Sequence, residues 1–292
     1  MIILGAGLAG LLAGTQFQTA TLLEQQPEST VTHKAVLRFR SAAVGEAVGV
    51  DFKQVTVRKG IWAGGQFRAP TIQLANWYAM KVTGKLLDRS IWNLESVDRF
   101  IAPEDFIYQL YDRCRGRIEW NTTVTSLPPG PVISTLPMSV MATLVPDPQA
   151  PPFRYERIIV HRWRLADAAI YQTVYFPEPD TTLYRVSITG DLVIAEYIGQ
   201  KDAFDFWPAF GLADVPVQII DATQQRFGKI TPIDDRWRKG YMFRLTAQHQ
   251  VYSLGRFATW RNILLDDVLH DLTVIKRLLQ SGLYDHARVT HE

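Results

Sequence analysis

The amino-acid sequence predicts an α/β protein in which pieces of a parallel-sheet domain are interleaved with an antiparallel sheet. Three observations carry this. The opening "MIILGAGLAG" runs an apolar strand into a glycine-rich turn and a helix. A second short strand, "ATLLEQQ", ends in Glu24, 19 residues after Gly5. Four strand-like runs with turn residues between most of them fill the middle of the chain.

In the opening stretch, Ile2 to Leu4 form the strand and Gly5-x-Gly7-x-x-Gly10 the turn. Gly5 permits the tight bend. Gly7 removes a Cβ where a pyrophosphate would approach the helix N-terminus, and Gly10 lets the helix pack closely on the strand. A glycine pattern alone is weak. Glu24 strengthens it, because the acid that accepts hydrogen bonds from an adenosine ribose is expected about 20 residues on. A carboxylate there argues against a 2′-phosphate. The motif does not distinguish NAD from FAD.

Further along, "THKAVLRFRS" and "FKQVTVRKGIW" read as extended segments, and "PTIQLANWYAMKVTGKLL" as mostly helical. "APEDFIYQLYDRCRG" is a helix with Pro103 near its start, Glu104 and Asp105 in its first turn and Gly116 closing it. "RIEWNTTVTSL" reads as a strand pair around Asn121, and "VISTLP" as a strand ending in Pro137. "RYERIIVHRWRL", "AIYQTVYFP", "TLYRVSITG" and "DLVIAEYIG" form the antiparallel sheet. "VPVQIIDATQQRFG" reads as a helix. "QVYSLGRFATWRN" is a strand entering a glycine turn, and "ILLDDVLHDLTVIKRLLQSG" is a long amphipathic helix.

Composition suits an ordered globule: 292 residues, 47% hydrophobic, eight tryptophans. No apolar run is long enough to span a bilayer. The apolar start lacks the basic region of a signal peptide, and a cytoplasmic protein is expected. The single cysteine, Cys114, excludes an internal disulfide or a cysteine metal cluster and reads as a buried helix residue. No metal-ligand spacing is present. Net charge is only +2, but residues 33–99 hold 11 Lys and Arg against 5 Asp and Glu. The basic residues sit among aromatics outside the glycine motif, which points to an anionic substrate. Arg38 and Arg40, two apart on an apparent strand, share a face and form a candidate anion clamp. His161 reads as a sheet residue, and Trp62, Trp77, Tyr78, Trp163 and Tyr171 as mostly core.

Interleaving of this kind characterises two-domain flavoproteins. Four segments resemble the superfamily of flavin amine oxidases, protoporphyrinogen oxidase and UDP-galactopyranose mutase: "GAGLAG…LLEQQ", "TTVTSL…VISTLP", "YFPEPDTTLYRVSITG" and "YSLGRFATWRNILLDDVLHD". The first and fourth are the specific ones. The resemblance covers most of the chain, and its compact length resembles short phage and bacterial members, some associated with DNA-base modification genes. It implies a Rossmann-like FAD-binding domain of the glutathione-reductase type, residues 1–40, 97–145 and 248–292, and a substrate domain, residues 41–96 and 146–247. It also implies that Gly5, Gly7, Gly10, Gly255, Arg256 and Asn262 hold the pyrophosphate and flavin end, Glu24 the ribose, and Val124 the adenine through its main chain. His33 and Lys34 are similar to the mutase "H-K". Arg38 and Arg40 stand where the mutases have histidines, and the mutases' preceding double glycine is missing. Tyr184 and Arg185 match the mutase "Y-R" pair, whose arginine approaches a diphosphate. Relatives that oxidise amines place a lysine near the flavin, for which Lys59 and Lys239 are the candidates, with His33 as a further catalytic candidate.

The function these features imply is FAD-dependent oxidation of a C–N bond in an anionic amine, free or carried on a nucleotide or DNA base. The alternatives are a mutase-like, non-redox flavoenzyme acting on a nucleotide sugar, and a flavin-binding protein without turnover.

Overall fold

A computed structural model describes residues 1–30, 36–88 and 90–281. In chain order the strands are β1 (Ile2–Leu4), β2 (Thr21–Leu23), β3 (Arg38–Phe39), β4 (Lys53–Ala63), β5 (Gln66–Arg68), β6 (Val97–Ile101), β7 (Ile118–Glu119), β8 (Val132–Ser134), β9 (Tyr155–Leu165), β10 (Ile170–Tyr175), β11 (Leu183–Gly190), β12 (Leu192–Ile198), β13 (Val217–Ile230) and β14 (Val251–Ser253). The α-helices are α1 (Leu8–Gln16), α2 (Ala43–Val48), α3 (Ile72–Thr83), α4 (Phe106–Cys114), α5 (Met138–Leu144), α6 (Asp235–His249) and α7 (Leu265–Gln280). Among the described residues no helix is long and apolar enough to cross a membrane.

The chain forms two units. The first comprises Met1–Lys53, Phe100–Pro152 and Pro232–Glu292; the second comprises Gln54–Arg99 and Phe153–Thr231.

The first unit is built on a parallel sheet of order β14-β8-β1-β2-β7. Its strands are short apolar runs because both faces are covered. Ile3, Leu22 and Ile133 are fully buried at matching register. Helices α1, α4 and α7 contribute Leu11, Leu12, Phe106, Leu110, Val268 and Leu272 to the core. Gly14 of α1 has no room for a side chain: a Cβ there would lie 2.7 Å from Cys114 Sγ. That absence lets α1 and α4 approach, and it accounts for the burial of Cys114, whose thiol is pushed up by desolvation. Helix α4 ends at Cys114 itself, before Gly116, in a 3₁₀ turn. Arg117 then donates to the carbonyls of Gly14, Phe17 and Ala20, satisfying the C-terminal end of α1. Glu104 and Asp105 precede the first helical residue instead of filling the first turn.

Two expectations for this unit need correction. The strand pair around Asn121 is absent: only Ile118–Glu119 pairs as a strand, and Asn121 takes a positive φ of 55° that turns the chain away. Second, α6 belongs here and not to the substrate domain drawn at 146–247. Asp234 caps α6 by accepting from Trp237 N at 2.6 Å. Tyr241 is buried and donates to Val145 O at 2.8 Å, and Arg244 pairs with Asp147. The sequence conceals this helix because only Arg238, Tyr241 and Leu245 are buried along it, so it carries no apolar stripe.

The second unit is a sheet of order β13-β9-β12-β11-β10-β4, with β5 folded back on β4. All these pairs are antiparallel except β10 with β4. Its core gathers Trp163, Val174, Phe176, Leu183, Val186, Val193 and Tyr197, closed by the 3₁₀ turn Trp207–Phe210. The four middle strands lie where the alternation places them. The segment "VPVQIIDATQQRFG" is a strand, β13, not a helix. Its β-branched residues suit an extended chain. What decides the matter is a partner remote in sequence: β9 pairs along it, with Asp221 receiving two 2.7 Å bonds from Arg162. Gly228 is required there, since a Cβ would stand 2.5 Å from Ile158.

Helix α3 is capped by the Thr71 side chain, which accepts from Leu74 N, and closed by Gly84 at φ 64°. On it, Lys81 donates to Phe176 O at 2.7 Å and Leu183 O at 2.9 Å. Burial pushes its pKa down to about 8, against the opposing pull of Asp180, Asp202 and Glu178. An NMR titration of its ε-carbon is expected to show a midpoint near 8. The unfolded chain holds this proton up to a higher pH. Lys81 therefore adds stability as pH rises from about 8 toward 10.5.

Candidate nucleotide-binding site

The glycine turn lies at the carboxyl end of β1, inside the first unit. Gly5 takes φ 92°, a conformation that side chains rarely adopt, and its N–H donates to Leu23 O at 2.8 Å. Its Cα faces Thr135, whose N–H and hydroxyl both donate to Leu4 O, at 2.9 and 2.7 Å. A Cβ on Gly10 would overlap the Gly5 carbonyl oxygen. The role expected of Gly10 is therefore seen directly: α1 presses on the turn. Gly7 is different. It caps α1 in extended conformation, and a Cβ there would meet nothing within 4 Å.

Glu24 lies just beyond β2. Its carboxylate accepts from Ala6 N at 2.7 Å and Gln26 N at 2.9 Å. The acid and the glycine turn are thus joined by a direct hydrogen bond. Glu24 O accepts from Thr122 N at 2.9 Å, so the segment carrying the half-buried Val124 runs beside the acid.

Gly255 comes to the same place from the other end of the sequence. It takes φ 93°, and a Cβ would stand 3.0 Å from the Ala9 Cβ in the first turn of α1. Leu254 N donates to Ser134 O at 2.8 Å, and the buried Thr259 donates through N–H and hydroxyl to Gly255 O, at 3.0 and 2.7 Å. Arg256 is half-buried with its guanidinium 5.5 Å from the Phe257 ring. Asn262 is exposed in the loop before α7. Sequence reasoning named Gly5, Gly7, Gly10, Glu24 and Gly255, and the fold assembles them. Thr135 of "VISTLP" pins the turn through Leu4 O, a role that no local sequence pattern encodes.

Other candidates are placed differently. His33 and Lys34 lie outside the described residues. Arg38 and Arg40 are not a strand-borne clamp: β3 ends at Phe39, and Arg38 pairs with Ile101. Arg40 is held by α7, its guanidinium 2.5 Å from Asp267 and its N–H 3.1 Å from Asp266. Lys239 is 72% exposed and ion-paired to Asp235 at 2.7 Å, one helical turn away. It lines a cavity of about 300 Å³ with Arg238, Tyr252, Arg261 and Asp271.

In the second unit, Lys59 donates to Asn93 O at 2.9 Å. Burial and the Arg99 charge lower its pKa, while Glu95 works against them. Tyr184 is fully buried, and its hydroxyl donates to Glu196 at 2.7 Å. It has no surface left for a substrate. Arg185 remains 36% exposed and is ion-paired to the same carboxylate. Lys229 sits 4.5 Å from the Tyr184 ring. The neighbouring Arg185 and Lys229 charges and both hydrogen bonds overcome desolvation and hold Glu196 down to about 2. Glu196 is a site residue that only the fold reveals. Its signal was a lone acid inside the apolar run "LVIAEYI".

No protein-family model matches the sequence, and no curated protein is significantly similar to it. Solved structures are similar in fold. A reduced UDP-galactopyranose mutase superposes with a TM-score of 0.71 at 12% identity, covering 99% of this chain and 97% of that one. An oxidoreductase from Methanosarcina mazei gives 0.61 at 10% identity, over 94% and 99%. The PF1083 protein from Pyrococcus furiosus gives 0.59 at 12%, over 97% and 99%. By fold, therefore, this chain is similar along nearly its whole length to UDP-galactopyranose mutase, to the Methanosarcina mazei oxidoreductase and to the PF1083 protein.

Proposed function

We propose that the protein is an FAD-dependent oxidoreductase of the amine-oxidase type. The carrying observation is the convergence of Gly5, Gly7, Gly10, Glu24 and Gly255 on one end of the parallel sheet. These residues fit a dinucleotide. The open space at Gly7 lies at a helix N-terminus, whose free N–H groups and dipole suit a pyrophosphate. Glu24 is held by Ala6 N and Gln26 N, and each carboxylate oxygen keeps a lone pair for a ribose hydroxyl. Val124 and its neighbours would border the adenine, and Arg256 and Asn262 the flavin end.

FAD, when bound, supplies a hydride acceptor. The chain's own task is to orient the substrate C–H, keep the amine neutral and exclude water. The substrate we favour is an anionic amine, either a free carboxylate-bearing one or an amine carried on a nucleotide or DNA base.

The test is the visible spectrum of purified protein, before and after acid precipitation. A flavin band that moves to the supernatant is the expected result. A colourless protein that cannot be reconstituted with FAD but binds NADH overturns the reading. Anaerobic bleaching by a carboxylate amine then supports oxidation. The likeness to UDP-galactopyranose mutase favours one second reading, a non-redox flavoenzyme acting on a nucleotide sugar. If UDP-sugars alone perturb the spectrum, that reading replaces the first.

A further inference from the structure

The parallel seam of β4 with β10, in the second unit, carries a pocket of about 510 Å³, a size typical of small-molecule sites. Arg58 faces Gln172 and Lys59 faces Thr173 across the seam. The 3₁₀ turn Trp207–Phe210 and Gly211 close one side. Phe67 of β5 forms another wall. Its ring lies over Gly60, where a Cβ would come within 2.7 Å of it, and edge-on to Trp62 at 5.1 Å. Phe67 is nevertheless 57% exposed, and its free face borders the pocket.

The charges are unbalanced. Arg58 is exposed and has no hydrogen-bond or ion-pair partner among the described residues. The Lys59 ammonium is already committed to Asn93 O, with Arg99 nearby and Glu95 as the opposing acid. Asp98, the other acid of the segment, is engaged by Gln54 and Thr56. One free guanidinium fork matches one carboxylate, which it can bind through two parallel hydrogen bonds. Gln172 can add an amide donor. Phe67 and Phe210 offer apolar ring faces to a flat body.

We propose that the β4–β10 seam is a binding site for a small aromatic carboxylate, its ring against Phe67 and Phe210 and its anion on Arg58. The site lies wholly within the second unit and does not rest on the flavin reading.

Isothermal titration of the full chain, in saturating FAD so that the glycine turn is not the reporter, tests this. The probes are indole-3-acetate and its uncharged isostere indole-3-acetamide. The acid is expected to bind saturably and about 10-fold or more tighter than the amide, the scale of one charge-assisted hydrogen-bond pair. Arg58→Gln should remove that preference, bringing acid to amide affinity, with an unchanged melting temperature because Arg58 has no partner to lose. Phe67→Leu should weaken both probes together. No saturable binding, equal affinity for acid and amide, or an acid preference that survives Arg58→Gln would each overturn the proposal. Because flavin content is read separately by absorbance, a protein without FAD that still discriminates acid from amide leaves this inference standing.

Discussion

A Gly10→Ala protein is expected to lose flavin and melt well below the parent, whereas a Gly7→Ala protein should lose flavin alone. At Gly10 the new methyl would overlap the Gly5 carbonyl oxygen and come within 2.9 Å of its carbon. That carbonyl cannot retreat easily. Gly5 N is tied to Leu23 O, and its Cα faces the Thr135 hydroxyl. Overpacking a fixed backbone costs about 3 kcal/mol, and more if α1 must lift from the sheet. At Gly7 the backbone is extended, φ −70°, and the added Cβ meets no protein atom within 4 Å. Its only effect should be to obstruct a ligand pressed against the helix N-terminus. Melting curves of the ligand-free proteins and their flavin-to-protein absorbance ratios separate the two effects. Normal flavin retention by Gly7→Ala would remove Gly7 from the binding surface.

The second large effect is expected at Glu196. Glu196→Ala leaves Arg185 and the buried Tyr184 hydroxyl without their acceptor, with Lys229 nearby. Leaving the buried Tyr184 hydroxyl without an acceptor costs about 1–3 kcal/mol, with the lost pairing of the partly exposed Arg185 in addition. The pH dependence has a definite sign. The native carboxyl sits at about 2, below its ordinary value of 4.5. Its contribution is therefore complete above pH 4.5 and is lost as pH falls from there toward 2. At full strength the shift corresponds to roughly 3 kcal/mol. Urea midpoints measured from pH 2 to 6 should fall steeply for the parent and less steeply for Glu196→Gln, which keeps an acceptor for Tyr184 but carries no charge. Parallel curves for the two proteins would show that Glu196 does not bear this charge.

The residues that end up at the candidate site were legible where chemistry is local. A strand, a turn that needs positive φ, a helix start and an acid about 20 residues later are a continuous pattern, and Gly5, Gly7, Gly10 and Glu24 occupy it in the structure as the sequence implies. The four middle strands, α7 and the glycine bend at Gly255 were legible for the same reason: alternation, helical spacing and turn residues are encoded within a dozen positions.

Tertiary structure decided what depends on distant partners. β13 is extended because β9 pairs with it, although its composition also satisfies a helix. Helix α6 joins the first unit through Tyr241 and Arg244, which find Val145 and Asp147 nearly a hundred residues earlier. Arg40 looked like a free cation until α7 brought Asp266 and Asp267 to it, and Tyr184 looked like a ligand contact until β12 buried it on Glu196. The physical reason is common to all four. Backbone propensity and glycine chemistry act between neighbours in sequence, whereas burial and charge neutralisation are settled by whichever residue the fold brings alongside.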